Sequence, residues 1–112
     1  MGLFGNSKTK QIQEIIYKIS TGFAQVDDEL GRNNNQATPM AKGILIALQK
    51  ESDTLYSLVC PNRRTDWNLV NSTQVRLHDG SVMLLGDYLA GKFHNKGLYL
   101  YRLTGINVAF NL

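Results

Sequence analysis

The chain has 112 residues, 43% of them hydrophobic and 19% charged, which supports one globular core and excludes two independent domains. Twelve Lys and Arg against nine Asp and Glu give a formal net charge of +3, a smaller basic excess than a nucleic-acid groove usually carries. Neither a run of roughly 18 apolar residues nor a signal-peptide pattern is present. We therefore expect a cytoplasmic protein without a membrane span. The single cysteine, Cys60, excludes an intramolecular disulfide.

Residues 1–31 predict one long helix, because apolar side chains recur at alternating spacings of four and three residues. Gly31 follows the last of them, where a helix end favours glycine. Gly22 lies in the middle and predicts a kink or break there. A helix of this length needs a partner for its apolar seam, either the rest of the chain or a second copy. We expect the seam at a homo-oligomer interface; its members are Ile12, Ile16, Ile19, Phe23 and Val26, followed by Leu30.

Residues 32–40 predict a linker, since three consecutive asparagines and Pro39 favour turns. Residues 41–112 predict a β-rich part within the same single domain. Short apolar runs bounded by polar turns indicate six strands, including 43–48, 54–60, 98–103 and 106–110. The predicted fold is therefore α+β, with one long N-terminal helix and a small antiparallel sheet or partly closed barrel.

The clearest local signal is Asp79-Gly80, which is typical of a two-residue β-hairpin turn. Placing the turn there pairs Leu77 with Val82. Val75 then faces Leu84, so all four apolar side chains share one buried face. A second hairpin is predicted at Thr104-Gly105.

Two segments resemble known motifs but match them incompletely. Residues 86–93 approach the phosphate-binding P-loop, but Phe93 replaces the hydroxyl residue that binds magnesium, and no βαβ context follows. The start of the chain resembles an N-myristoylation signal at Gly2, but Asn6 occupies the position of the required hydroxyl. We prefer a purely structural interpretation of both segments. Residues 87–90 are expected to form a turn that stops at Gly91, and the first residues are expected to be an ordinary N-terminus.

No catalytic, metal or cofactor site is predicted. Cys60, His78 and His94 are the strongest candidate ligands or nucleophiles, and no two of them lie within four residues of each other. A cysteine at the end of an apolar run is more often a small buried side chain than a reactive thiol. We therefore expect a protein that is not an enzyme.

Two basic and aromatic loops, which we call the basic segments, form the candidate binding site: Arg63 to Trp67 and Lys92 to His94. Guanidinium groups bind carboxylates or phosphates, and flat rings stack on bases or fill pockets on a protein. The competing interpretation is that the rings belong to the core and the cations only keep the surface polar. The candidate binding residues are Arg63, Arg64, Trp67, Lys92, Phe93, His94, Tyr99 and Arg102.

These observations favour a small, non-catalytic binding protein that forms a homo-oligomer and recognises an acidic protein partner. The first alternative is a binder of an anionic ligand, such as a nucleotide, a phosphorylated metabolite or single-stranded nucleic acid. The second is a small hydrolase that uses Cys60 or His94.

Overall fold

The N-terminal helix α1 (Ser7–Arg32) runs without a break in the computed structural model, which describes residues 7–112. The myristoylation-like start at Gly2 lies outside the described residues. All six members of the seam are buried, and Ile12, Ile16, Ile19 and Val26 have no exposed surface. The apolar spacing therefore identified the buried face of α1.

Gly22 does not break α1, contrary to the prediction. A Cβ atom at this position would lie only 2.7 Å from the Leu48 side chain on the next helix, α2 (Pro39–Val59). Glycine therefore serves close packing between two helices, and the contact outweighs its poor helix propensity.

The two strands predicted at 43–48 and 54–60 are both wrong, because these residues belong to α2. The buried residues of α2 recur at spacings of four and three, the same period as in α1. Ser52, assigned to a polar turn by its neighbours Glu51 and Asp53, is buried, and its hydroxyl donates to Val108 C=O at 2.6 Å. The buried positions are Ala41, Leu45, Leu48, Ser52, Leu55 and Val59.

The asparagine run forms the turn between α1 and α2. Asn34 and Asn35 have φ angles of +55° and +62°, a left-handed conformation that asparagine tolerates better than most residues. Thr38 then caps α2 by accepting a hydrogen bond from Ala41 N–H at 3.1 Å. Its hydroxyl also donates to the Glu29 carboxylate at 2.8 Å, which ties the turn to the end of α1.

A Thr38→Ala variant is expected to lose about 1 kcal/mol of stability from the missing N-cap. Hydrogen bonds from Thr38 and Arg32 also hold the pKa of Glu29 below its ordinary value of 4.5. Stability from this carboxylate is therefore present above that value and is lost as the pH falls through the lowered pKa. We expect the variant's deficit in urea unfolding to shrink in acid. Thr38→Ser keeps both hydrogen bonds and should behave like the wild type; an equal deficit would contradict this account.

After α2, a short 3-10 turn (Pro61–Arg63) leads into helix α3 (Trp67–Ser72). The side chain of Asp66 caps α3 by accepting from Leu69 N–H at 3.1 Å. Two short strands follow, β1 (Gln74–Arg76) and β2 (Val82–Leu84), which form the whole sheet described. The predicted six-strand sheet or barrel is therefore wrong, and so is the β-rich character of residues 41–112.

The predicted hairpin exists, but its register differs by one residue. Val75 pairs with Met83, and Arg76 pairs with Val82. The loop has three residues rather than two. Gly80 N–H donates to Leu77 C=O and closes a turn, and Gly80 ends that turn with a φ of +88°. A shift of one residue moves side chains to the opposite face, so Val82 is half exposed instead of buried.

The last helical stretch comprises α4 (Leu85–Tyr88), a π-helical turn (Leu89–Phe93) and α5 (His94–Thr104). The strand predicted at 98–103 lies in α5, and 106–110 is an extended segment with no strand partner. Gly105, predicted as part of a hairpin turn, is the left-handed C-cap of α5, with φ +76°. The helix also continues through Gly91, so the predicted stop there is wrong.

The residues after Gly105 form a strap across α2 and α5. Gln49 donates to Asn107 C=O at 2.9 Å, next to the buried bond between Ser52 and Val108. Phe110 packs against the rings of Tyr56 and Phe93, each with a centroid separation of 5.2 Å. The strap therefore completes the hydrophobic core.

Candidate protein-binding surface

The structure separates the candidate binding residues into four groups. Phe93 has no exposed surface and belongs to the core, so it is not available to a partner. Trp67 and His94 line a common groove. Lys92 lines another cavity on the opposite side of the terminal helix. The remaining exposed residues are Arg63, Arg64, Tyr99 and Arg102.

We call the first of these the Trp67 groove. It has a volume of about 490 Å³ and lies between α3 and the helix that begins at α4. Trp67 is 56% exposed, and Leu84 and Leu112 are also substantially exposed beside it. Leu89, Ala90 and His94 come from the π-helical turn and the start of α5.

A smaller cavity of about 220 Å³ continues the Trp67 groove along α5. The two share His94 and Asn111, and the extension adds the exposed side chains of Leu98 and Tyr101. The result is one aromatic and aliphatic surface of a kind that marks interaction sites in proteins. Hereafter the Trp67 groove includes this extension.

Sequence reasoning found Trp67 and His94 but missed Leu84, Leu98, Tyr101 and Leu112. A signal for Leu98 and Tyr101 was present, because positions 87, 90, 94, 98 and 101 follow helical spacing. Assigning residues 98–103 to a strand concealed it. Leu84 was assigned to the buried face through the incorrect hairpin register, and nothing in the sequence pointed to Leu112.

The Trp67 groove carries little charge. Among the described side chains that line it, Asp87 is the one carboxylate, and no Lys or Arg contributes. Arg102 follows Leu98 by one helical turn on α5, so the two side chains share a face. Arg63 and Arg64 are exposed in the turn that precedes Trp67. Cations therefore lie near an apolar centre.

The turn that carries Arg63 has an unusual backbone. Asn62 and Arg63 have φ angles of +56° and +63°, which is the left-handed region and is uncommon for arginine. Such conformations cost free energy and persist only where the surrounding structure holds them. Arg63 N–H donates to Cys60 C=O, which closes this turn.

The second basic segment, Lys92 to His94, was predicted as a loop but is helical, and its Lys92 shares no cavity with Arg63 or Arg64. Lys92 lines a cavity of about 460 Å³ that also holds Asp27, Asp28 and Asp79. Lys96, on the same side, donates to the Asp27 carboxylate at 2.8 Å. Positive and negative side chains alternate around this cavity. The two basic segments therefore do not converge on one anion.

Within residues 7–112, no group of three His, Cys, Asp or Glu side chains is placed to hold a metal ion. Cys60 is buried, and its Sγ lies 3.7 Å from the Thr65 hydroxyl. Ser20 and His78 form the nearest approach to a nucleophile and base, with 3.3 Å between Oγ and Nδ1. That hydroxyl also accepts from His78 N–H at 2.6 Å, so it anchors the hairpin to α1.

Two groups that line the cavity beside Lys92, the carboxyl group of Asp79 and the phenol group of Tyr88, have shifted pKa values. The hydroxyl and the backbone N–H of Ser81 both donate hydrogen bonds to the Asp79 carboxylate, and these bonds lower its pKa. Burial raises the pKa of Tyr88, so its phenol stays neutral. Neither shift creates an acid or base suited to neutral pH.

The seam proposed for oligomer contact is covered by the chain's own residues. Four of its side chains have no exposed surface: Ile12, Ile16, Ile19 and Val26. Phe23 is 5% exposed, and its ring centroid lies 6.3 Å from the ring centroid of Phe93. In the described structure this face of α1 packs on the rest of its own chain. A second copy would need another surface.

No protein-family description, curated protein or solved structure matches this chain. In the described part of the chain, every helix is too short or too polar to cross a membrane.

Proposed function

We propose that this protein is a non-catalytic binding module that holds an acidic partner protein in the Trp67 groove. One observation carries the proposal: half-exposed aromatic and aliphatic side chains surround a nearly uncharged groove. Interface centres are depleted in charge and enriched in aromatic residues, and Trp, Tyr and Arg dominate their binding energy. Trp67, Tyr101 and Arg102 supply these three residue types.

The chemistry of the surroundings favours an acidic partner with exposed apolar side chains. Arg63, Arg64 and Arg102 are exposed, and among the described side chains that line the groove Asp87 is the one carboxylate. Arginine binds carboxylates in a bidentate manner, which adds specificity to apolar contact. The left-handed backbone at Arg63 supports a role for this turn beyond connecting two helices.

A small anionic ligand is less well supported, because Arg63, Arg64 and Lys92 do not line a common cavity. Hydrolysis by Cys60 is also less well supported, since its thiol is buried away from the groove. A second copy of the chain is a competing occupant of the Trp67 groove. The experiment below separates it from an acidic partner.

Trp67 is the only tryptophan, so its fluorescence reports on the groove alone. Peptides selected from a random phage library against the purified protein are expected to be rich in Asp or Glu and in Leu, Phe or Trp. Synthetic, tryptophan-free versions should shift the Trp67 emission to shorter wavelength as they bury the ring. Trp67→Ala should weaken peptide binding at least tenfold, since a central aromatic contact is worth about 2 kcal/mol.

The control is Ile46→Ala, which removes a half-exposed apolar side chain of α2 that does not line the groove. It should leave affinity unchanged. Arg63→Glu together with Arg102→Glu should weaken binding and reduce its dependence on salt. Binding that survives Trp67→Ala would refute the proposal. Self-association that Trp67→Ala abolishes, with no peptide selected, would assign the groove to a second copy.

A further inference from the structure

A second groove, of about 650 Å³, lies between α1 and the outer edge of β1. We call it the α1–β1 groove. Tyr17 and Lys18 of α1, Arg76 of β1 and Val82 of β2 line it. It shares no lining residue with the Trp67 groove. No motif in the sequence marked these residues as a site.

The hydrogen-bond register leaves the outer edge of β1 open. Leu77 N–H donates to Ser81 C=O across the hairpin. Because an antiparallel ladder alternates, the backbone groups of Gln74 and Arg76 point to the opposite edge, toward α1. The side chain of Gln13 confirms this direction by donating to Gln74 C=O at 2.9 Å. Among the described residues, nothing bonds to the backbone N–H or C=O of Arg76.

Positive charge dominates the α1–β1 groove. Lys10, Lys18 and Arg76 line it, against one carboxylate, Glu14. Lys18 lies 3.7 Å from Glu51, but its side chain is 64% exposed, so this contact holds it weakly. The groove therefore favours an anionic occupant.

Apolar surface lies beside these cations. Tyr17 is 47% exposed and Val82 is 51% exposed. Arg76 and Val82 pair across the hairpin, so they share one face of the sheet. An occupant that satisfies both the backbone edge and the cations is an extended peptide with acidic residues on that face and apolar residues between them. Alternation follows from strand geometry, because successive side chains point to opposite faces.

We propose that the α1–β1 groove binds an extended acidic segment of a partner protein, which adds to β1 as a third strand. In such strand addition, backbone hydrogen bonds provide affinity and side-chain contacts provide selectivity. The N–H and C=O of Arg76 bond to the segment. Its carboxylates lie near Lys10 and Arg76, on the face of the sheet that also carries Val82, and its apolar side chains lie on the opposite face, which carries Val75. The Gln13 amide gives up Gln74 C=O to the incoming backbone.

The test uses ¹⁵N-labelled full-length protein and the blocked peptide Val-Glu-Val-Glu-Val-Glu. Before peptide is added, the amides of Gln74 and Arg76 should exchange with solvent faster than that of Val75. Saturation with the peptide should slow exchange at Arg76 at least tenfold and shift resonances along β1 and the first half of α1. A Val-Lys peptide of the same length is the control for charge and should not bind.

Lys10→Glu combined with Arg76→Glu should weaken binding of the Val-Glu peptide by about tenfold or more. Arg102→Glu, a charge reversal in the other region, should not change it. Trp67→Ala should also have no effect, so this site and the Trp67 groove can fail independently. No resonance shift at millimolar peptide, or binding without slower exchange at Arg76, would overturn the proposal.

Discussion

Phe93→Ala is expected to destabilise the fold by about 3–5 kcal/mol, the usual cost of truncating a buried aromatic side chain. Phe93 has no exposed surface, and the rings of Phe23, Tyr88 and Phe110 surround it with centroid separations of 5.2 to 6.3 Å. It joins α1, the terminal helix and the strap. Urea unfolding monitored by circular dichroism measures the loss, which is a large part of the total stability of an ordinary domain.

Two comparisons make this prediction specific. Phe93→Leu retains most of the apolar volume and should lose much less stability. Tyr99→Ala removes a ring that is 45% exposed and lies 5.3 Å from the Lys96 ammonium. It should cost about 1 kcal/mol or less. Unchanged stability of Phe93→Ala, with loss of peptide binding, would return Phe93 to the surface and contradict the packing described above.

Gly97→Ala is expected to detach the C-terminal strap from α5. A Cβ atom at this position would overlap the Ala109 Cβ and would lie 3.3 Å from the Ala109 backbone nitrogen. Alanine improves helix propensity by about 1 kcal/mol, but overpacking of this kind costs about 1–3 kcal/mol. We expect a net loss of stability, together with weaker peptide binding in the Trp67 groove, because Asn111 and Leu112 of the strap line it.

The compensating change is Ala109→Gly, which removes the methyl group that the new Cβ meets. The double variant Gly97→Ala, Ala109→Gly should recover most of the loss, with a coupling free energy of about 1–2 kcal/mol in the double-mutant cycle. Gly91→Ala is a control because, among the described residues, nothing beyond its chain neighbours and the backbone of its own helix lies within 4 Å of the added Cβ. That variant should be neutral or more stable. Additive effects of the two changes at 97 and 109 would exclude direct contact as the cause.

Part of the fold could be predicted because it depends on local patterns. The spacing from Ile12 to Leu30 identified the buried face of α1, and it needed no knowledge of the partner. Asp79-Gly80 located the hairpin, because a glycine with positive φ is a local requirement. The register of the hairpin was not predicted. The turn sequence fits a loop of either two or three residues, and the packing of the strands decides between them.

The helices α2 and α5 could not be separated from strands by residue type. Ile44 to Ile46 and Tyr99 to Tyr101 favour strands, and glycines at 91 and 97 resemble helix breakers. Tertiary contacts reversed both signals. Gly97 is small because Ala109 packs on it, and Ser52 is buried because it binds the backbone of Val108.

The candidate site shows the same division. From the sequence alone, Arg63, Arg64, Trp67 and His94 could be proposed as candidate binding residues, because the chemistry of a side chain is local to each residue. Phe93 was assigned to the same surface, but its side chain is buried in the hydrophobic core.

The sequence by itself determined the long first helix and the position of the hairpin, because both depend on residues near one another in the chain, and its composition gave the modest positive charge. Only the tertiary structure decided that Trp67 and His94 share a groove, that Lys92 faces the opposite side, and that β1 keeps an open edge. These outcomes depend on contacts between distant segments, and such contacts can outweigh propensities worth about 1 kcal/mol per residue.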